Sequence, residues 1–260
     1  MASRGVMKIF VINLASSPDR LSFVDNQLKG IGLDYERIDA VDGRLLNRKE
    51  MRSNVACVHC YCASKRNLTP GEIGCSLSHI KACREIIKDN LLYACVLEDD
   101  VVIDGPKFRK VLGYIEDRLR KEADFPKVFL MSNFAGMRRD KDSIEVERNP
   151  PNAWCADGYV LTRSAAQLIL RANFPVVSVA DVWNRWHDNL GLEIYRVHPA
   201  AITQNKADFR SDIGSRTDKS SRLMWLLRVY FINHILSFID KVMCVLKGQM
   251  RFGQKNEEIS

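Results

Sequence analysis

Residues 92–100 read Leu92-Tyr93-Ala94-Cys95-Val96-Leu97-Glu98-Asp99-Asp100, a nearly continuous apolar run that ends in three adjacent carboxylates. A run this short and this apolar is the pattern of a central strand in a parallel sheet, covered on both faces. Neighbouring acids repel one another, so their place at the strand end has one of two reasons: they are solvated in a turn, or a cation sits among them. In open α/β sheets ligands collect outside the carboxyl ends of the strands. Alternation along an extended segment points Glu98 and Asp100 the same way and Asp99 elsewhere. Their oxygens suit a hard cation, Mn2+ or Mg2+, that also binds a diphosphate.

The stretches on either side extend the α/β pattern. Upstream, Thr69, Pro70 and Glu72 form the signature of a capping box, which opens a helix through about Asp89 with Ile73, Leu77, Ile80 and Ile87 as its apolar stripe. At the other end of the chain, Lys8–Leu14 (KIFVINL) reads as a strand, followed by the helix-start signals Ser17, Pro18 and Asp19. That helix carries Leu21, Val24 and Leu28 on one face and stops at Gly30 and Gly32; Tyr35–Val41 is the next strand. Strand, helix, strand in about 35 residues is a βαβ unit. Residues 44–68, polar and basic, read as a surface excursion. Downstream, a helix at about Lys107–Lys121, a strand at Val128–Met131 and a strand-helix pair over Tyr159–Leu170 continue the alternation.

The chain has 260 residues, 46% of them hydrophobic and 27% charged, which fits one folded domain with a short appendage. Lys and Arg outnumber Asp and Glu by 39 to 32, a formal charge of +7. The excess invites nucleic acid, anionic lipid or a phosphorylated substrate. Much of it lies beyond residue 205, beside the most hydrophobic part of the sequence, which favours a membrane surface; no nucleic-acid recognition motif is present. From Val229 to Ile239 no residue is formally charged, a stretch shorter than the roughly 20 residues a bilayer span needs. An amphipathic helix lying on an anionic membrane fits it. The expected organisation is a leader at 1–6, a folded domain at 7–215 and a basic amphipathic helical tail at 216–260. Eight cysteines in largely apolar settings, with no secretory signal, point to free thiols and the cytoplasm. The CVHCYC cluster, Cys57, His59, Cys60 and Cys62, lacks the second CxxC that a closed zinc site usually has, and free thiols are its default reading.

Taken in order, VINLASSPDR, IDAVDG, LTPGEIGCSLSHIKAC and VLEDDV resemble glycosyltransferase family 25, the lipooligosaccharide and lipopolysaccharide galactosyltransferases, over roughly residues 7–215. The most specific element is PGEIGCSLSH followed some twenty residues later by LEDD. The resemblance implies a GT-A (Rossmann-like) fold, UDP-galactose as donor and inversion at the anomeric carbon. It also implies a divalent metal at a DxD-like motif formed by Glu98, Asp99 and Asp100, with Asp100 as the direct ligand. It places Ile12, Asn13, Leu14 and Arg20 around the uridine, with Ala40, Asp42 and Gly43 at the next strand end; helix-cap and tight-turn roles are their alternative reading. His79 is a further donor-contact candidate, His198 a late metal-ligand candidate, and Asp181 and Asp157 are candidates for the general base. The implied partners are a UDP-sugar and a lipid-linked oligosaccharide at the cytoplasmic face of the inner membrane.

Overall fold

The computed structural model describes residues 7–56, 60, 66–132 and 143–205, and the tail expected at 216–260 lies outside them. The described chain is a mixed α/β structure. Its first strand, β1 (Ile9–Asn13), is buried along its whole length. The helix α1 (Pro18–Gly30) follows, with Ser17 at its N-cap and Pro18 in the first turn. It ends where Gly32 takes a positive φ of 61°, which a side-chain-bearing residue rarely adopts, and Leu33 N–H reaches back to Leu28 O at 3.0 Å. Strand β2 (Glu36–Asp39) then pairs parallel to β1.

Residues 44–68 depart from the expected surface excursion. Asn47 and Glu50 form a capping box that opens a short helix, α2 (Arg48–Asn54). The chain after it contributes Val55, Cys60 and Leu68 to a buried cluster with Ile73, Leu77, Ile80 and Val176. Mean polarity concealed this, because three apolar side chains spread among basic residues have no periodicity to read. Of the CVHCYC cluster only Cys60 is described; it is buried, and its thiol donates to Val176 O.

The helix α3 (Pro70–Lys88) has the expected capping box, Thr69 accepting from Glu72 N–H and Glu72 accepting from Thr69 N–H. Then come β3 (Tyr93–Glu98), β4 (Val101–Ile103), α4 (Gly105–Leu119), β5 (Lys127–Leu130) and β6 (Glu145–Arg148). Strand β7 (Gly158–Thr162), α5 (Arg163–Asn173), α6 (Trp183–Leu190), β8 (Glu193–His198) and β9 (Ile202–Gln204) complete it.

Seven strands form one sheet in the order β2-β1-β3-β7-β5-β8-β6, and β4 pairs with β9 in a separate ribbon. Strand β3 is parallel to β1 but antiparallel to β7, and β6 is antiparallel to β8, so five of the seven strands share a direction and β7 and β6 oppose it. The apolar run of β3 reported burial on both faces, which is true, but burial does not encode a neighbour's direction.

Alternation along the strands builds two cores. Phe10, Ile12 and Val96 face Cys83 and Ile86 of α3, Ile169 of α5 and Trp183 of α6. On the opposite face Ile9, Val11 and Leu97 pack over Val24 and Leu28 of α1 and Phe108 and Ile115 of α4. Helices therefore cover both faces and leave open the strand ends where Glu98–Asp100 lie. Among the described residues no helix is long and apolar enough to cross a membrane.

Candidate active site

The carboxyl ends of β1, β2 and β3 open onto a crevice of about 720 Å³, its mouth included. Ile12 and Leu14 line it from β1, Arg20 from α1, and Ala40, Asp42 and Gly43 from the turn after β2. Glu98, Asp99 and Asp100 line it after β3, and His79 of α3 faces them. Ten of the sequence-predicted residues thus share one cavity. Further lining residues, among them Arg44, Cys75, Ser78 and Gln204, had not been singled out. Cys75 and His79 are one helical turn apart, a spacing that is visible in the sequence. The part played by Gln204 depends on β9 pairing with β4, which is not.

The wall formed by the 40–44 turn exists because two glycines let backbones touch. A Cβ on Gly74 would lie 2.4 Å from Val41 O, and one on Gly43 would lie 1.8 Å from Pro70 O. Ser78 Oγ fastens the same contact, accepting from Val41 N–H at 2.9 Å and donating to Gly74 O at 2.7 Å. At the mouth Arg44 grips Asp42 with two hydrogen bonds, Nε to Oδ1 at 2.8 Å and Nη2 to Oδ2 at 2.7 Å. That guanidinium holds the Asp42 carboxyl below its ordinary value.

The three acids have different surroundings. Asp99 and Asp100 form the turn between β3 and β4, so strand alternation ends at Glu98 and all three reach the crevice. Asn13 lies behind the lining and donates from Nδ2 to Asp99 Oδ2 at 2.7 Å, while Arg37 Nε holds the Asn13 Oδ1 at 3.0 Å. Arg20 bridges two acids, with Nε 3.1 Å from Asp99 Oδ1 and Nη2 2.9 Å from Asp100 Oδ2. Gln204 Nε2 also donates to Asp100 Oδ2, at 3.2 Å. The other oxygen, Asp100 Oδ1, is buried and accepts no hydrogen bond among the described residues. Burial, reinforced by the Glu98 charge and partly offset by Arg20 and Gln204, pushes Asp100 up to about 7. A buried carboxylate with one spare oxygen beside two further acids is a donor set that fits a hard divalent cation.

Glu98 faces α3. Its Oε1 lies 3.2 Å from His79 Nε2 and 3.9 Å from Cys75 Sγ. His79 Nδ1 meets the buried Tyr159 hydroxyl at 2.8 Å.

The remaining candidates lie around this end of the crevice or away from it. Asp157, at the start of β7, is buried beside Glu98, whose N–H donates to Asp157 O at 2.8 Å. Burial foremost pushes its carboxyl up to about 6; a hydrogen bond from the Ser132 side chain opposes the shift and the Glu98 charge adds to it. Asp181 lies in the turn before α6, and after burial and Glu98 its charge helps to raise the Cys75 thiol. His198 is not brought to the crevice: it ends β8, three strand positions from β3, with Nε2 3.6 Å from Glu147 Oε2.

Comparison with known proteins identifies the family. The profile of glycosyltransferase family 25 (LPS biosynthesis protein) matches residues 6–183. Mouse procollagen galactosyltransferase 2 is 29% identical over 181 residues, covering 65% of this chain and 28% of that protein. The lacto-N-neotetraose biosynthesis glycosyltransferase LgtE of Neisseria meningitidis serogroup B is 28% identical over 212 residues, covering 76% of this chain and 74% of that one. A probable inactive glycosyltransferase 25 family member 3 from Bos taurus is 40% identical over 100 residues, 37% of this chain and 17% of that one. The chain thus spans about a third or less of the animal relatives named here, and most of the bacterial one. With the family profile matched over more than half its length and its acids gathered in one crevice at the strand ends, the chain belongs to glycosyltransferase family 25.

Proposed function

We propose that this protein transfers galactose from UDP-galactose to a sugar of a lipid-linked oligosaccharide, with inversion to a β linkage, at the cytoplasmic face of the inner membrane. The observation that carries the reading is the convergence of Glu98, Asp99 and Asp100 with Ile12, Leu14 and Arg20 on one crevice. Asp100, with its spare buried oxygen, and Glu98 would hold Mn2+ or Mg2+. Such a cation supplies electrostatic stabilisation of the negative charge on the departing diphosphate.

The chain's own residues do the rest. Arg20 fixes the facing oxygens of Asp99 and Asp100, and Asn13 holds Asp99 from behind. The acceptor hydroxyl oxygen bonds to the anomeric carbon as the bond from that carbon to UDP breaks, and the hydroxyl proton passes to a carboxylate. Asp157, raised to about 6 beside Glu98, and Asp181 in the turn before α6, whose charge reaches Cys75, are the candidate bases. Basic and aromatic residues beyond 215, including Lys219, Arg222, Trp225 and Tyr230, would draw the enzyme to anionic headgroups where its acceptor resides.

The test is UDP release on incubation with UDP-galactose, manganese and a glucose- or N-acetylglucosamine-terminated acceptor. Turnover that chelation abolishes supports the reading, and undiminished turnover in EDTA removes the metal from it. A second reading, a nucleotide-sugar-binding module without turnover, is favoured by the likeness to a relative named as probably inactive. UDP binding with no transfer across an acceptor panel would select it.

A further inference from the structure

We infer that Cys75, His79 and Glu98 form a second metal site, suited to zinc-like cations, that shares only Glu98 with the oxygen-rich site at Asp100 and takes its other ligands from α3. Among the described residues these three form a His, Cys and carboxylate group whose ligand atoms all lie within 4.8 Å of one another. Cys75 and His79 are four residues apart on α3, so they share one face, and Glu98 reaches them from the end of β3.

The spacing suits zinc. Zn–S near ~2.3 Å and Zn–N and Zn–O near ~2.0 Å at tetrahedral angles put sulfur and oxygen about 3.5 Å apart and nitrogen and oxygen about 3.3 Å apart. The structure has 3.9 Å between Cys75 Sγ and Glu98 Oε1, and 3.2 Å between His79 Nε2 and the same oxygen. Against Glu98 the two differ from coordinating distance by a few tenths of an ångström, and all three ligand atoms lie within 4.8 Å of one another. Three protein ligands leave a fourth position facing the crevice.

A second observation points the same way. Metal-bound imidazoles are held through their other nitrogen, and His79 Nδ1 is held by the buried Tyr159 hydroxyl at 2.8 Å. In the tautomer with the proton on Nε2, His79 donates to Glu98 and accepts from the Tyr159 hydroxyl at Nδ1. With metal on Nε2, the imidazole proton moves to Nδ1 and is donated to the Tyr159 oxygen. A hydroxyl serves both tautomers, whereas a carbonyl would serve one. On binding, the Cys75 thiol loses its proton to solvent and the sulfur takes the metal. Thiolate and imidazole favour zinc over the hard cations Mn2+ and Mg2+.

Cobalt(II) titrated into the full-length, metal-free protein reads the site directly, because only sulfur ligation produces a thiolate-to-cobalt charge-transfer band in the near ultraviolet. The band should appear, be displaced by zinc and be absent from Cys75→Ser. Tyr159→Phe should weaken cobalt affinity by about 10–100-fold. Cys57→Ser combined with Cys62→Ser should keep the band. Asp100→Ala should keep it too, so loss of transfer with retention of the band separates this site from the proposed donor metal. Should Cys75→Ser misfold, alkylation of Cys75 in the unmodified protein decides: zinc should slow it at least about tenfold, and magnesium should not. A band that survives Cys75→Ser, or zinc that leaves Cys75 alkylation unchanged, overturns the inference.

Discussion

Asp100 combines burial, a value raised to about 7 and one oxygen that accepts no hydrogen bond among the described residues. If that oxygen takes the donor metal, Asp100→Ala should lower transfer at least about 100-fold, since a Lewis acid contributes several kcal/mol at the transition state. Circular dichroism should show an intact fold, and full activity in the folded variant would remove Asp100 from the mechanism. Asp157 makes a separate prediction about stability. Its folded value of about 6 exceeds the roughly 3.9 of an unfolded aspartate, so the folded state binds the proton more tightly. The stability from that protonation is fully present below about pH 4 and is lost as pH rises through about 6. Melts in EDTA should therefore show Asp157→Asn gaining on the wild type between pH 4 and pH 7, by at most about 3 kcal/mol. Equal pH dependence of the two proteins would contradict the assignment. If Asp157 is also the base, transfer should fall about tenfold per unit below pH 6 in the wild type, and Asp181→Asn should leave that profile in place.

At the scale of elements, α3 does more than cover the sheet. Its first turns carry Gly74 against the backbone of the 40–44 turn, and its next turn carries Cys75, Ser78 and His79 into the crevice. Gly74→Ala puts a methyl group 2.4 Å from Val41 O and 2.6 Å from Gly43 N, both backbone atoms that cannot rotate away. It should destabilise the protein by about 1–3 kcal/mol despite the better helix propensity of alanine. The displaced turn should also raise the Kd for UDP, measured by calorimetry. A variant as stable and as tight-binding as the wild type would show that the turn yields freely. Thr69→Ala should cost about 1 kcal/mol through its cap with no effect on UDP affinity.

At the scale of the whole molecule, helices on both faces of a largely parallel sheet leave the strand ends as the place for a ligand. The basic surplus of the chain is a matter of location, not fold. Full-length protein should sediment with anionic vesicles far more than with neutral ones. Raising salt from 0.1 M to 1 M, which shortens the Debye length from about 10 Å to about 3 Å, should release it. Equal partition into neutral vesicles would point to burial of apolar side chains alone.

Local chemistry was readable along the chain. The capping box at Thr69, the strand LYACVL and the acids at its end follow from short-range spacing, and short-range spacing is what a linear sequence records. The resemblance to the family, not spacing, collected Ile12, Arg20, Asp42, His79 and Asp100 as candidates, although they lie up to 88 positions apart. Tertiary structure alone decided that β7 runs against β3, that the polar 44–68 segment hides Val55 and Leu68, and that His198 ends at the β6 edge of the sheet. Strand direction and long-range pairing depend on how distant segments close on one another. That closure also brought Gln204 to Asp100 and Cys75 to Glu98, contacts that no local period encodes.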